Sequence, residues 1–292
     1  DSLVEFGFWG GLTPDNINHL EELADCGVVG FKAFACYSGI PEFQGIDDYT
    51  ALKGMEQLKK LNLPLMVHCE NALLTKKLAE DEIAAGREDA WAYFAAHAPV
   101  TETESVSRMI ALAAETGCKL IIAHVSLARS VELIMAAKLQ GVDVCCETIG
   151  QYLMLTDEMV AALGPVAKCS PPVRNAANQQ QMWGCAARGE IDFISSDHSP
   201  CDPKLKAGSF MKAWGGISSC QTTLTGLLTH ACHERKMPLP EIARLTSQNI
   251  AEITGIQGKG KIATGYDADF AIVDMNDSYI LKAEDLFYKH QV

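Results

Sequence analysis

Dense basic clusters are missing from this chain, and so are long apolar runs, CxxC pairs, internal repeats and low-complexity stretches. Lys and Arg number 24 against 37 Asp and Glu, giving a net charge of −13 and a pI near 5.0. That balance excludes a surface for nucleic acid or an anionic membrane; Lys59-Lys60 and Lys76-Lys77 read as solvated helix faces. No apolar run is long enough to span a membrane and no signal-peptide pattern stands at the start, so no membrane partner is expected. The eleven cysteines are scattered, and Cys145 and Cys146 are adjacent. This usage predicts buried thiols in a reducing cytoplasm rather than a disulfide scaffold. The first residue is Asp1 rather than Met, which fits a processed or partial product.

What is present is a chain of 292 residues, 48% apolar and 21% charged, enough for one large or two modest domains. Strand-like and helix-like segments alternate. Strands are expected at Val4–Trp9, Val28–Phe34, Leu63–Cys69, Lys119–Val125, Val142–Glu147 and Ile191–Ile194. Helices are expected from Pro14 to about Cys26, along the Tyr49, Leu52, Met55, Leu58, Leu61 face, and over two stretches within 71–117, with a Thr101-x-x-Glu104 start. Further helices are expected over Ser130–Gln140, Asn178–Arg188 and a pair ending near Ile256. Six β/α units in sequence imply a parallel sheet with right-handed crossovers. After Gln257 the composition turns glycine-rich, and Phe270–Asp274 reads as a short strand of a small β appendage. The expected domains are therefore 1–257 and 258–292.

The apolar runs share a feature. Ile191–Ile194 stops at Asp197-His198-Ser199-Pro200, Val28–Phe31 leads into Lys32, Leu65–Val67 into His68 and Leu120–Ala123 into His124. Any one such residue is more often a cap or a satisfied turn group. Four together are the pattern of an α/β barrel, whose catalytic groups come from the carboxyl ends of several strands. His68 and His124 offer imidazole nitrogens to a divalent metal and Asp197 offers a carboxylate. A free lysine near pKa ~10.4 cannot ligate a cation. Buried beside a metal, however, Lys32 is pushed toward the neutral amine, which adds carbon dioxide to become a carbamate able to bridge two ions.

Taken in order, Lys32 in GFKAF, His68 in MVHCEN, His124 in IIAHVS and Asp197 in SSDHSPC closely resemble the cyclic amidohydrolases of the amidohydrolase superfamily. That group contains allantoinases, dihydroorotases and hydantoinases/dihydropyrimidinases. The resemblance covers essentially the whole chain, including GKGKIATGYDADFAIVD, which is similar to returning strands of the family's small β-sandwich. GFKAF, DHSPC and WGGIS (Trp214–Ser218) resemble the allantoinase branch. The resemblance implies a (β/α)8 TIM-type barrel, here with about six units (strands 3–8), and hydrolysis of a cyclic amide, allantoin to allantoate in purine catabolism. It implies carbamylated, bridging Lys32, His68 and His124 on one metal, and Asp197 as ligand to the other and general base. It also implies a ring held near Ser170, Gly215, Gly216 and Ile217. The cofactors are then two divalent ions, zinc first with cobalt, manganese, nickel or iron also accepted, plus CO2. The partner is a small cyclic ureide, and the assembly a homo-oligomer, tetrameric in the family.

One departure is plain. The family carries a His-x-His pair at its first barrel strand, and the eight histidines here include none; His230 and His233 read as helix surface. The chain is therefore expected to be about the C-terminal two-thirds of such an enzyme, lacking the first two barrel units and the opening sandwich strands, and poorly stable and inactive by itself. Alternatives are a dihydroorotase or hydantoinase, a non-catalytic dihydropyrimidinase-like protein, and a mononuclear zinc hydrolase.

Overall fold

The computed structural model describes residues 2–290. Among them, six parallel strands pair strictly in chain order: β1 (Trp9–Gly11), β2 (Gly30–Phe34), β3 (Leu65–His68), β4 (Leu120–Ile122), β5 (Val144–Ile149) and β6 (Phe193–Ser195). The connections are helical. α1 (Leu20–Asp25) follows β1, α2 (Asp48–Leu61) follows β2, and α3 (Ala72–Ala84), α4 (Ala90–Ala96) and α5 (Pro99–Thr116) follow β3. Next come α6 (Ala128–Leu139) after β4, then α7 (Gly150–Met154), α8 (Asp157–Leu163) and α9 (Ala176–Ala187) after β5. Beyond β6 lie α10 (Cys220–Leu227), continued to Glu234 as a wider π-helical stretch, α11 (Leu239–Ala243) and α12 (Asn249–Thr254).

Each crossover is built to bury one face against the sheet. In α2 the buried residues Ala51, Gly54, Met55 and Leu58 follow helical spacing, while Asp47 caps the start by accepting from Thr50 N at 2.7 Å. Leu12 presses so close that a Cβ on Gly54 would fall 2.4 Å from its Cδ2, so a larger residue there would displace the buried Leu12 side chain. β4 is buried at Leu120, Ile121 and Ile122, as expected of a parallel strand covered on both faces. A second cluster, with Tyr93, Tyr152, Cys169 and Phe210, lies between α4, α7 and the segments around 170 and 210.

Several sequence expectations shift. The first strand starts at Trp9, because Leu3, Val4, Phe6 and Phe8 are exposed and the first backbone bond to the neighbouring strand is Val29 N to Phe8 O. The first helix starts late: Asn16 takes Thr13 N and donates to Gly11 O, and a 3-10 turn at Ile17–His19 precedes α1. Helix α5 begins at Pro99, so Thr101 and Glu102 lie buried inside its first turn. Phe270–Asp274 forms no strand, since among the described residues nothing pairs with it and a lone strand gains no ladder. All eleven cysteines are free, five of them buried, and no described helix is long and apolar enough to cross a membrane.

Candidate metal centre

The parallel register brings the expected residues to the carboxyl ends of the strands. Lys32 pairs with Met66 and Phe34 with His68 across β2 and β3. Lys32 therefore sits two residues inside the strand end, on the same face as Phe34. Its Nζ lies 5.3 Å from the Phe34 ring, which stacks on His68 at 5.2 Å, and His68 meets His124 edge-on at 4.6 Å between ring centres. His124 and Asp197 follow β4 and β6 by two residues, with φ of 38° and 41°. A left-handed backbone costs a non-glycine residue about 1–3 kcal/mol, and such strain gathers at functional sites.

Electrostatics prepare these groups for a cation. Burial pushes the Lys32 ammonium down toward the free amine, against the opposing pull of Glu147 and Asp197. His124 is held well below the usual histidine range, by burial first and then by His68 and Lys32, and is neutral. Both imidazoles are 5% exposed. His68 Nδ1 faces His124 Nε2 at 3.1 Å, and His68 Nε2 lies 2.8 Å from a Glu70 oxygen. With Nε2–H donated to Glu70, Nδ1 presents its lone pair to His124. Two nitrogens bound to one tetrahedral zinc at ~2.0–2.1 Å lie about 3.3 Å apart, close to the observed spacing. Among the described residues His124 Nδ1, buried, has no hydrogen-bond partner. The imidazole pair fits one divalent ion well; the Lys32 charge acts on His124, and Asp197 lies close enough to Lys32 to act on its charge.

Ser170, Gly215, Gly216 and Ile217 also come together. A Cβ on Gly215 would lie 3.5 Å from Ser170 Cβ, and Gly216 N donates to Lys168 O at 2.8 Å. Ile217 O accepts from Ser199 N at 3.0 Å, and Ile217 bridges His198, next to Asp197. His230 and His233 lie elsewhere on the surface; His230 pairs with Glu234.

Sequence reasoning passed over Glu70, His97 and Glu147. Glu147, on β5, accepts from His124 N at 3.0 Å, and its carboxyl is raised by burial. Glu70 accepts from His68, from His97 at 2.6 Å and from Ser170 Oγ at 2.8 Å. Burial works to raise its pKa, but the His97 charge and these hydrogen bonds outweigh it and hold Glu70 well below the usual carboxylate range. Cys36, His68 and Glu70 offer ligand atoms within 4.8 Å of one another; Glu70, already accepting three hydrogen bonds, is better placed as a partner of His68 than as a ligand. The available signal was the spacing His68-Cys69-Glu70, an acid one strand pitch beyond a candidate ligand.

Neutral imidazoles, a lysine pressed toward its free amine and a carboxylate, all at or near the ends of parallel strands, form the kind of donor set that suits a divalent cation at the carboxyl-end face of an α/β barrel. The chain belongs to the amidohydrolase family, which it matches over residues 36–290 and which is metal-dependent. It is 64% identical over 292 residues to a protein from Desulfitobacterium hafniense strain Y51 named allantoinase, covering 100% of this chain and 65% of that one. It is 42% identical over 287 residues to the Escherichia coli K12 protein of the same name, covering 97% and 63%. Among solved structures, L-hydantoinase (dihydropyrimidinase) from Arthrobacter aurescens superposes with a TM-score of 0.95 at 30% identity, over 99% of this chain and 65% of that one. D-hydantoinase from a Thermus species gives 0.84 at 25%, over 91% and 59%. The chain thus spans about 65% of the length of the first curated relatives, and its six strands are part of the same barrel.

Proposed function

We propose that the protein containing this chain hydrolyses a cyclic amide, opening the hydantoin ring of allantoin to allantoate. The carrying observation is the buried His68–His124 pair gathered with Lys32 and Asp197; the choice of allantoin is supported by the 64% identity. Residues 1–257 are read as the barrel and 258–292 as part of a small β domain. The free thiols support a cytoplasmic location, and a homotetramer belongs to the same reading.

Lys32, His68, His124 and Asp197 would hold two divalent ions, zinc first. The neutral Lys32 amine adds CO2, releasing a proton, to give a carbamate with two oxygens. When bound, the metal acidifies a water and polarises the amide carbonyl. Asp197 would accept a proton from the attacking water on a carboxylate oxygen as the water oxygen bonds to the amide carbon, and would return it to the ring nitrogen as the C–N bond breaks. Backbone groups at Ser170 and Gly215–Ile217 hold the polar ring, and glycine lets the main chain approach it closely.

Hydantoin is the second candidate, favoured by the likeness to hydantoinases. A panel of allantoin, hydantoin, dihydrouracil and dihydroorotate, run with protein at the relatives' full length, separates these. Preference for allantoin supports the proposal. Turnover of dihydroorotate alone, or of none, sinks it.

A further inference from the structure

Glu70 is neither one of the proposed metal ligands nor one of the proposed substrate-side residues, yet it touches His68 from the first group and Ser170 from the second. Its Oε2 accepts from His68 Nε2 and from Ser170 Oγ, each at 2.8 Å, although Ser170 stands 100 residues further along the chain. The other oxygen is tied to His97 Nδ1 at 2.6 Å, and Arg174 anchors His97 by donating to its carbonyl at 2.6 Å. Glu70 is 1% exposed, so no water competes for these bonds. The backbone beside Ser170 is fixed from both flanks: Tyr93 donates to Cys169 O at 2.8 Å and Tyr152 to Pro171 O at 2.7 Å. Ser170 has little freedom left except where its hydroxyl points.

We propose that Glu70 is a positioning residue that couples the metal ligand His68 to the substrate-side residue Ser170 through one shared carboxylate oxygen. This rests on the reading of His68 and Ser170 given above. Accepting from His68 Nε2 fixes the tautomer that leaves Nδ1 free toward His124. Accepting from Ser170 sets the rotamer of that side chain. Loss of the carboxylate therefore loosens both halves of the site, whereas loss of the Ser170 hydroxyl loosens one.

The test compares Glu70→Gln, Ser170→Ala and the double variant in full-length protein. Zinc affinity is measured by chelator competition, the His68 tautomer by 15N NMR, and KM and kcat on allantoin. Glu70→Gln should weaken zinc binding by about 10–100-fold, shift the His68 nitrogen signals and raise KM. Ser170→Ala should raise KM and leave zinc affinity near wild type. The double variant should raise KM no further than Glu70→Gln alone, the non-additivity of a shared contact. Wild-type zinc affinity and tautomer in folded Glu70→Gln, or additive KM effects, overturn the coupling. Should Glu70→Gln not fold, His97→Asn with Ser170→Ala removes the other two supports of the carboxylate; unchanged zinc affinity there also overturns it, and weakened affinity upholds it. Absent turnover of any cyclic amide would defeat the proposed function while the zinc and NMR readings still decide the role of Glu70.

Discussion

His68 Nδ1 and His124 Nε2 face each other at 3.1 Å, buried, across 56 residues of chain. Two nitrogens so placed either share one proton or share one cation. Glu70 accepts a hydrogen bond from the far nitrogen of His68, and the environment keeps His124 neutral, so the facing edge suits a cation.

Asp197→Asn keeps the size of the side chain and removes the carboxylate proposed as the base. Turnover should fall by orders of magnitude while metal content stays largely unchanged, read by kinetics and by elemental analysis of the same sample. Near-wild-type turnover would refute the proton-transfer role.

Lys32→Ala should abolish turnover and remove the carbamate signal that 13C-bicarbonate labelling produces in wild-type protein. After chelation at mildly acidic pH, metal with bicarbonate should restore activity and metal alone should restore much less. Recovery independent of bicarbonate would argue against the carbamate.

Much of this arrangement was legible beforehand. Parallel strands buried on both faces give unbroken apolar runs such as Leu120–Ile122, and the residues ending those runs stood out by contrast. Lys32, His68, His124 and Asp197 stand out that way, and Ser170 and the Gly215–Ile217 segment through motif likeness. Glu70 and Glu147 do not, because a carboxylate is called into a network by partners distant in sequence: Ser170 and His97 for one, the His124 backbone for the other. The short helices α7 and α8 were missed although Thr156 caps α8 by accepting from Met159 N. Phe270–Asp274 has strand composition, but pairing needs a neighbour that local sequence does not supply.

Lys168 gives a pH test of stability. It is 5% exposed, donates to the carbonyls of Met211 and Ala213, and lies 4.3 Å from the Tyr93 ring centre. Burial, then Lys206, lowers its pKa to about 8 from the ordinary 10.5. Between those values the unfolded chain binds more protons than the folded one, so this group's penalty is complete below pH 8 and is relieved as pH rises toward 10.5. The gain should be about 3 kcal/mol over that window. Denaturant melts of Lys168→Met should lack this rise; an identical slope in both proteins would contradict it.

Gly216→Ala would place a Cβ 2.5 Å from Ser199 Oγ and 2.8 Å from Ser199 O. The segment carrying Ile217 must shift, so KM should rise several-fold with zinc affinity unchanged. An unaltered KM would remove this segment from the substrate site.

X-ray absorption at the zinc edge of loaded full-length protein and of its His68→Ala and His124→Ala variants tests the metal centre most directly. Wild-type protein should show imidazole nitrogen and oxygen donors at ~2.0–2.1 Å and no sulfur, with imidazole scattering reduced in each variant. A sulfur shell near ~2.3 Å would place the ion on a cysteine such as Cys36 instead. Unchanged spectra in both variants would show that the two histidines do not hold it.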